Sequence, residues 1–393
     1  MYRYRPYVPE RAVEYIKQVL ESGCLAGTCE NFVRKFEEKL SEFTGIKHVI
    51  AVSSGTAALH VAYRAVGVRP GKPVAVPGFT FVATASAVLH CNSIPIFVDI
   101  DRETLFVDLA DLEKKLKKYN IEHVCVVHIG GVPGPVDEVA KLCEENNITL
   151  IEDCAQALGA TYHGNHVGKF GKVSIFSFYP TKTITTGEGG AVATEYEDLA
   201  SIIRRLINHG EERRYYYIEL GYNYRMSEIL AAIGVAEMEI VNILVENRRR
   251  FAKVFIEEVE NRVSDFVDFQ KVPKGASPAW NLIQIMLNIE KIGKSRDYVL
   301  QRLRDEGLQV FTVAYPMPLP DTPLFRNMRG ISDQCPWKCP LNRIDIGADV
   351  FELPNCRWVC ERVLSLLVSP AFTEEDAVKI ADIFCRVIRS ITS

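Results

Sequence analysis

The chain has 393 residues, of which 48% are hydrophobic and 24% charged, and its formal net charge is −4. This composition indicates a globular protein that is large enough for more than one domain. Because we find no basic block and no apolar run of transmembrane length, we expect neither nucleic acid nor membrane as a partner. The N-terminus lacks the apolar core of a signal peptide, so we expect a cytoplasmic protein.

In the first two thirds of the chain, short apolar runs alternate with helical patterns. This alternation predicts βαβ units and a mostly parallel sheet flanked by helices, an α/β fold. Several runs are apolar throughout, as expected for strands that are covered on both faces. The predicted strands are 48–52, 73–78, 94–100, 123–128, 148–153, 173–178 and 191–194, and helical segments include 57–66, 110–119 and 136–146.

The pattern changes at Met226, where one long helix is predicted to continue to about residue 260. A smaller α/β region follows, and residues 316–357, rich in Pro, Asp and Asn, predict a long loop over a binding site or an interface. The elements predicted in this region are strands at 281–289 and 308–315, a helix at 295–306, and a closing helix at 373–388 with Thr373 as its N-cap. We therefore predict a large domain, residues 1–245, and a small C-terminal domain, residues 246–393.

Eleven cysteines are scattered along the chain, and four of them form two pairs with i, i+4 spacing, Cys335 with Cys339 and Cys356 with Cys360. These four could be reduced thiols, disulfides or ligands of a structural zinc ion. Because zinc sites usually use C-x2-C spacing, reduced thiols are the default interpretation, and we predict no metal site. The other seven cysteines are interpreted as small core residues or isolated thiols.

The stretch SSGTAALH, which begins at Ser53, follows a predicted strand and opens a helix. Free backbone N–H groups and the positive end of the helix dipole favour an anion at such a junction. Thr56 adds a hydroxyl, and Gly55 lets an anion approach the backbone. The stretch lacks the lysine of a P-loop and the three glycines of a dinucleotide fingerprint, so a single phosphate fits better. An ordinary N-capped helix is the alternative.

In LIEDCAQALGA, Asp153 ends an apolar strand, 29 residues before Lys182. A carboxylate at this point suits the pyridine nitrogen of pyridoxal 5′-phosphate (PLP), whose ring must stay protonated to accept electrons. Gln156 could bond the phenolic oxygen of the ring. The alternative interpretation of Asp153 is a helix N-cap.

Two aromatic residues in PGFTFVATASAV, Phe79 and Phe81, end another strand. One of them could stack on a flat cofactor, although core packing is the commoner use of phenylalanine.

The stretch SFYPTKTITTGEGG, residues 177–190, places Lys182 on a loop just beyond a strand. Loops at strand ends carry the chemistry of α/β proteins. Lys182 is therefore either a lysine that forms a Schiff base or a solvated surface lysine.

Taken together, these stretches resemble the DegT/DnrJ/StrS-type PLP-dependent sugar aminotransferases, a branch of the fold-type I aspartate aminotransferase superfamily. The resemblance extends over nearly the whole chain, from PERAVEYIKQVLESG at residue 9 to VLSLLVSPAFTEED near the C-terminus. Its most specific parts are SF-x3-K-x4-GEGG and ED-x-AQA. The family fold has a large domain with a mostly parallel sheet and a smaller C-terminal α/β domain.

The resemblance implies that Lys182 forms the Schiff base with PLP and later moves the substrate proton. Asp153 would pair with the pyridine nitrogen, Gln156 with the ring oxygen, and Phe81 would stack on the ring. Four further residues would hold the cofactor phosphate: Thr56, Ala57 and Ser177 in the same chain, and Asn223 of GYNYR from the neighbouring subunit. The active sites would thus be shared in a homodimer.

The implied activity moves an amino group from glutamate or glutamine to a keto sugar or a keto-cyclitol, and PLP alternates with its amine form, PMP. The family often has histidine where this chain has Leu158, Ala314 and the 367–370 stretch. The pattern from Glu306 to Phe325 is loosely similar to members that act on keto-cyclitols or amino-benzoate precursors. The alternatives are a PLP-dependent lyase or dehydratase on the same scaffold and a non-catalytic PLP-binding sensor.

Overall fold

A computed structural model describes residues 1–332, 334–342 and 344–392. Its strands are β1 (His48–Val52), β2 (Pro73–Pro77), β3 (Ile94–Val98), β4 (His123–Val127), β5 (Thr149–Asp153), β6 (Thr161–Tyr162), β7 (Asn165–His166), β8 (Val173–Ser177), β9 (Gly190–Thr194), β10 (Glu211–Arg213), β11 (Tyr216–Tyr217), β12 (Val267–Phe269), β13 (Ala276–Ser277), β14 (Leu282–Leu287), β15 (Phe311–Thr312) and β16 (Val363–Leu367). Its helices are α1 (Arg11–Ser22), α2 (Phe32–Thr44), α3 (Gly55–Ala65), α4 (Val82–His90), α5 (Leu109–Tyr119), α6 (Val136–Glu145), α7 (Glu197–Ile207), α8 (Glu228–Met238), α9 (Val241–Val263), α10 (Ile289–Ile292), α11 (Arg296–Asp305), α12 (Pro323–Arg326), α13 (Pro354–Arg362) and α14 (Glu374–Thr392).

The seven strands predicted in the first two thirds of the chain all form, and they join one sheet in the order β1-β9-β8-β5-β4-β2-β3. Strands β8, β5, β4, β2 and β3 are parallel, whereas β9 is antiparallel to both of its neighbours. Every residue of β2, β3 and β4 is buried, as expected for strands that helices cover on both faces. The prediction of a mostly parallel α/β sheet is confirmed.

The carboxyl ends of β1, β5 and β8 lie at the same edge of this sheet, because β9 runs opposite to β1 and β8. Residues that follow these strands therefore meet above that edge, where ligands bind in α/β proteins. Asp153 ends β5, Ser177 ends β8, and Ser54 follows β1.

The single long helix predicted from Met226 is wrong, because the structure has two helices, α8 and α9, separated at Glu239 and Ile240. Ile240 leaves the helical region with φ −121° and ψ 8°. Helix α8 packs against α1 and α2, whereas α9 continues into a second hydrophobic core. The two helices pack against different partners. The apolar pattern of the sequence nevertheless continues through the break between them.

The second core lies around an antiparallel sheet with the order β12-β14-β16-β15, packed against α9, α11 and α14. The predicted closing helix and its cap are confirmed, since Thr373 Oγ1 accepts the Asp376 N–H at 3.1 Å. The strand predicted at 308–315 is only two residues long, and β12 and β16 are additional strands.

The described residues of the segment 316–357 form turns and short helices rather than one long loop, and they pack against the first core. The Phe325 ring meets the Phe97 ring with 4.9 Å between centroids. The buried carboxylate of Asp99 accepts the backbone N–H groups of Asn355 and Cys356 at 2.9 and 2.8 Å. The chain thus returns to the first sheet after it has entered the second core. The domain boundary at residue 245 stays a prediction, since α9 runs through it without interruption.

Two cysteines correct the sequence-based interpretation. Cys24 and Cys29, which were interpreted as core residues or isolated thiols, form a disulfide across a sequence separation of 5 residues. The loop that they close is held against the start of α8, where the Glu228 N–H donates to Leu25 O at 3.1 Å. Cys335, Cys339, Cys356 and Cys360 are free thiols, in line with the default interpretation.

Among the described residues, one group of side chains has the spacing of a metal site: His128, Glu152 and Cys154, all buried. The Glu152 carboxylate already accepts the N–H groups of Gly168, Phe170 and Gly171 and lies 3.1 Å from His128 Nε2. This set therefore serves the packing of the loop after β7. No helix within the described ranges is both long and apolar enough to cross a membrane.

Candidate active site

A cavity of about 390 Å³ lies above the carboxyl ends of β5 and β8. Six of the eight predicted site residues line it: Thr56, Phe81, Asp153, Gln156, Ser177 and Lys182. A larger groove, of about 720 Å³, lies between Tyr7, Ile243 and Phe372 and contains none of the predicted residues. The sequence motifs thus converge on the smaller cavity.

Lys182 lies in an irregular segment between β8 and β9, residues 179–189, which we name the lysine turn. Its backbone N–H donates to Tyr179 O at 2.9 Å. Among the described residues, none lies within hydrogen-bond or ion-pair distance of Lys182 Nζ. Burial lowers the pKa of Lys182 to about 8, with the Asp153 carboxyl acting against this shift and the Arg248 guanidinium adding to it. A neutral amine of this kind can act as a nucleophile.

Asp153 is 4% exposed, and both of its carboxylate oxygens are engaged. Oδ2 accepts the Thr84 hydroxyl at 2.8 Å, and Oδ1 accepts the Ala155 N–H at 3.1 Å. Burial raises the pKa of Asp153, while these two hydrogen bonds and the nearby Lys182 oppose the rise. The N-cap interpretation of Asp153 is wrong, because a turn and not a helix follows it.

The start of α3 lies at the wall of the same cavity. Ser54 is its N-cap, and its hydroxyl accepts the Ala57 N–H at 3.1 Å. Ala57 does not line the cavity, because its backbone donor points to this cap. The capped-helix interpretation therefore describes Ser54, while Thr56 faces the cavity.

Glycine is required where the stretch SSGTAALH contacts the stretch SFYPTKTITTGEGG. A Cβ at Gly55 would lie 2.9 Å from Ser177 Cβ, and a Cβ at Gly190 would lie 2.6 Å from Ser54 O. These contacts are closer than a side chain allows. Gly55 thus brings Ser177 next to the start of α3, so that the hydroxyls of Thr56 and Ser177 share one wall.

The two phenylalanines of PGFTFVATA have different environments. Phe81 is 61% exposed and lines the cavity, whereas Phe79 is buried with its ring centroid 4.7 Å from that of Tyr315. Phe81 is therefore available as a stacking surface, and Phe79 is a core residue.

Gln156 connects the cavity to a residue that was not assigned a role from the sequence. Its Nε2 donates to the Tyr315 hydroxyl at 2.6 Å, and its Oε1 accepts the Gly130 N–H at 2.7 Å. Burial raises the pKa of Tyr315 to about 12, so that its hydroxyl stays protonated. Further residues of the wall that were not predicted are Thr80, Thr84, Tyr179, Glu188, Asn281 and Thr312.

Comparisons with known proteins show the family of the chain. The model of the DegT/DnrJ/EryC1/StrS aminotransferase family matches residues 6–385. The chain belongs to this family. It is a PLP-dependent aminotransferase of fold-type I.

Three similar proteins are the following. GDP-perosamine synthase of Escherichia coli O157:H7 is 33% identical, with 80% of this chain and 84% of the relative covered. A protein of Acidithiobacillus ferrooxidans named UDP-N-acetyl-3-dehydro-alpha-D-glucosamine 3-aminotransferase is 32% identical, with 90% and 88% covered. The crystal structure of S. venezuelae DesV in complex with a ketimine intermediate has a TM-score of 0.84 at 25% identity, covering 98% of this chain and 99% of that one.

Asn223 lies outside the cavity of its own chain. It is exposed and forms a backbone bridge with Asn208. Asn223 does not cap the following helix, because α8 begins at Glu228 and Ser227 caps it. The contact to a neighbouring subunit, which the family resemblance implies, stays a prediction.

Two of the three departures from the family pattern touch the cavity. Ala314 lines it, as does Leu367 of the 367–370 stretch, whereas Leu158 is buried in the core. Ala314 and Leu367 give this part of the cavity an apolar wall.

Proposed function

We propose that this aminotransferase moves an amino group from glutamate or glutamine to the ketone of a nucleotide-linked keto sugar. The observation that carries the proposal is that Lys182 and Asp153 face one cavity, beside the start of α3. The GDP- and UDP-linked substrates in the names of the two relatives support a nucleotide-linked acceptor. A free keto-cyclitol is the second candidate, favoured by the apolar residues Ala314 and Leu367.

The residues that line the cavity suit PLP. When bound, PLP supplies an electron sink for the negative charge that develops at the substrate carbon. Asp153 would keep the pyridine nitrogen protonated, and its burial strengthens this pairing. Phe81 would cover one face of the ring. The hydroxyls of Thr56 and Ser177, with the first N–H groups of α3, would hold the phosphate. The N–H of Ala57, which the family resemblance also assigns to the phosphate, is bonded to Ser54 Oγ instead.

Lys182 would carry the proton in both half-reactions. With its pKa near 8, the amine can accept a proton from the substrate carbon and return it at a neighbouring atom. Gln156 would donate to the phenolic oxygen of the ring, with the Tyr315 hydroxyl fixing its amide group.

The proposal includes a cytoplasmic homodimer in which Asn223 of the partner subunit completes the phosphate site. Exposure of Asn223 away from its own cavity supports this arrangement. The neighbouring Tyr222 and Tyr224 are half-buried and stacked with 4.9 Å between ring centroids, which suits an interface.

The experiment loads purified protein with PLP, converts it with glutamate or with glutamine, and removes the donor. Nucleotide-linked keto sugars and free keto-cyclitols are then added one at a time while the PLP absorbance is followed. We expect a nucleotide-linked keto sugar to restore the absorbance and to gain an amino group, detected by mass spectrometry. Recovery with cyclitols alone would overturn the assignment of a nucleotide-linked acceptor, and a deoxygenated product would indicate a dehydratase. Protein that binds PLP but is converted by neither amino donor would indicate a sensor.

A further inference from the structure

The lysine turn has no regular secondary structure, yet three consecutive carbonyl groups in it are held by side chains from distant parts of the chain. The Tyr4 hydroxyl donates to Pro180 O at 2.7 Å, and Asn281 Nδ2 donates to Thr181 O at 2.5 Å. Arg248 Nη2 donates to Lys182 O at 2.8 Å. The carbonyl of the reactive lysine itself is thus the acceptor of a guanidinium group.

Arg248 is unusual among the charged residues of this chain. It is fully buried, and it has no carboxylate within ion-pair distance among the described residues. A buried charge is costly unless it is well bonded. The titratable side chains that face it are Lys182, Tyr4 and Glu237, and the buried carboxyl of Glu237 also accepts the Thr185 N–H of the lysine turn at 3.2 Å.

We infer that Arg248 is a positioning residue for Lys182: its guanidinium holds the Lys182 carbonyl and so fixes the direction in which the amine enters the cavity. The inference rests on the proposed function of Lys182. A carbonyl bond to a buried, charged donor is stronger than one to a neutral group. Since the flexible lysine side chain begins at this backbone unit, a small displacement of the turn moves the amine relative to Asp153.

The charge of Arg248 has a second effect on the same lysine. The charged groups that face Lys182 are Asp153, which stabilises its protonated form, and Arg248, which destabilises it. Burial acts in the same direction as Arg248 and is the largest cause of the lowered pKa. Removing the guanidinium therefore raises the pKa of Lys182.

The test compares Arg248→Leu with Arg249→Leu. Arg249 is the next residue on α9 and also donates to two backbone carbonyls, Pro278 O and Gly159 O, each at 2.9 Å, but it does not touch the lysine turn. Both variants lose an arginine that holds backbone, so a merely structural role predicts similar effects from the two.

The first readout is the pKa of Lys182 in protein without PLP, measured by competitive acetic anhydride labelling and mass spectrometry over a pH series. We expect Arg248→Leu to raise this pKa from about 8 towards the ordinary value of lysine. Arg248→Lys, which retains the charge, should keep it near the wild-type value, and Arg249→Leu should not change it.

The second readout is transamination with glutamate. Arg248→Leu should lower kcat about ten- to a hundredfold, since a reacting group displaced by about 1 Å can cost that much. KM should change far less, because no substrate contact is removed. If Arg248→Leu does not fold, Tyr4→Phe takes its place; it removes the hydroxyl that holds Pro180 O and faces Arg248, and it should lower kcat several-fold.

Equal effects of Arg248→Leu and Arg249→Leu on both readouts would overturn the inference, as would an unchanged Lys182 pKa and kcat in Arg248→Leu. Failure of the proposed function gives a different result, because wild-type protein would then form no borohydride-reducible bond between PLP and Lys182.

Discussion

At the scale of single residues, Asp153 combines opposite influences on one carboxyl group. Burial favours its neutral form, and the hydrogen bonds from Thr84 and Ala155 favour its ionised form. A cationic partner in the cavity would shift this balance towards the carboxylate. The side chain is therefore suited to a positively charged ring nitrogen.

We expect Asp153→Asn to lower kcat by about a hundredfold or more, because an amide cannot keep the ring nitrogen protonated. PLP binding, measured by titration of the absorbance, should weaken much less, since the phosphate contacts remain. The control is Asp108→Asn, which preserves the N-cap of α5 outside the cavity and should leave kcat unchanged. Near-normal kcat with weak PLP binding would show that Asp153 is only structural.

Lys182 gives a prediction of pH dependence. Its pKa is lowered to about 8, so the reactive neutral amine is the minor form below this pH and the major form above it. The rate at which protein without cofactor captures PLP should therefore rise with pH and level off above about pH 8. In Asp153→Asn the midpoint should move to lower pH, because the negative charge that stabilises the protonated amine is lost. A rate that is independent of pH between 6 and 10 contradicts the lowered pKa.

The sequence predicted the residues of the cavity better than their contacts. Lys182, Asp153 and Phe81 follow strands or open helices, and strand ends at one sheet edge must meet. Tyr315 and Thr84 could not be predicted in the same way, because their role depends on packing between segments far apart in the chain. Gly55 was expected to admit an anion, and in the structure it makes room for Ser177.

At the scale of elements, the strands of the first sheet were predictable because short apolar runs there alternate with helical patterns. Strand β16 was missed, although VLSLL is apolar, because it follows a helix directly and no turn signal separates them. The break between α8 and α9 lacks a Gly or Pro. Such a break follows from tertiary packing, which local sequence does not report.

The disulfide predicts a stability that depends on redox conditions. Closure of the Cys24–Cys29 loop restricts the unfolded chain, and for a loop of this length the contribution is about 2 kcal/mol. We expect the double variant Cys24→Ser/Cys29→Ser to unfold at lower urea concentration than wild type. A reductant should destabilise wild type and leave the double variant unchanged, and the Cys335→Ser/Cys339→Ser variant should still respond to the reductant. Identical wild-type curves with and without reductant would contradict the bond.

At the scale of the whole molecule, the shared site can be tested by subunit exchange. Asn223→Asp should abolish activity by repelling the cofactor phosphate, and Lys182→Ala should abolish it by removing the amine. In a mixed dimer, one site would combine both lesions, and the other would be intact. Mixing the two inactive proteins should therefore restore about one working site per mixed dimer. If mixed dimers form, as shown by mass spectrometry, and stay inactive, Asn223 does not act across an interface.

The packing of residues 316–357 on the first sheet has a consequence for the order in which the protein can fold during synthesis. Phe97 emerges early, but Phe325, which covers it, leaves the ribosome more than 200 residues later, and the N–H groups that bond Asp99 later still. Domains commonly fold as units while the chain grows. In this protein, an apolar surface of the first sheet stays uncovered until nearly the entire chain has been translated. We therefore expect a nascent chain that stops near residue 245 to bind a chaperone.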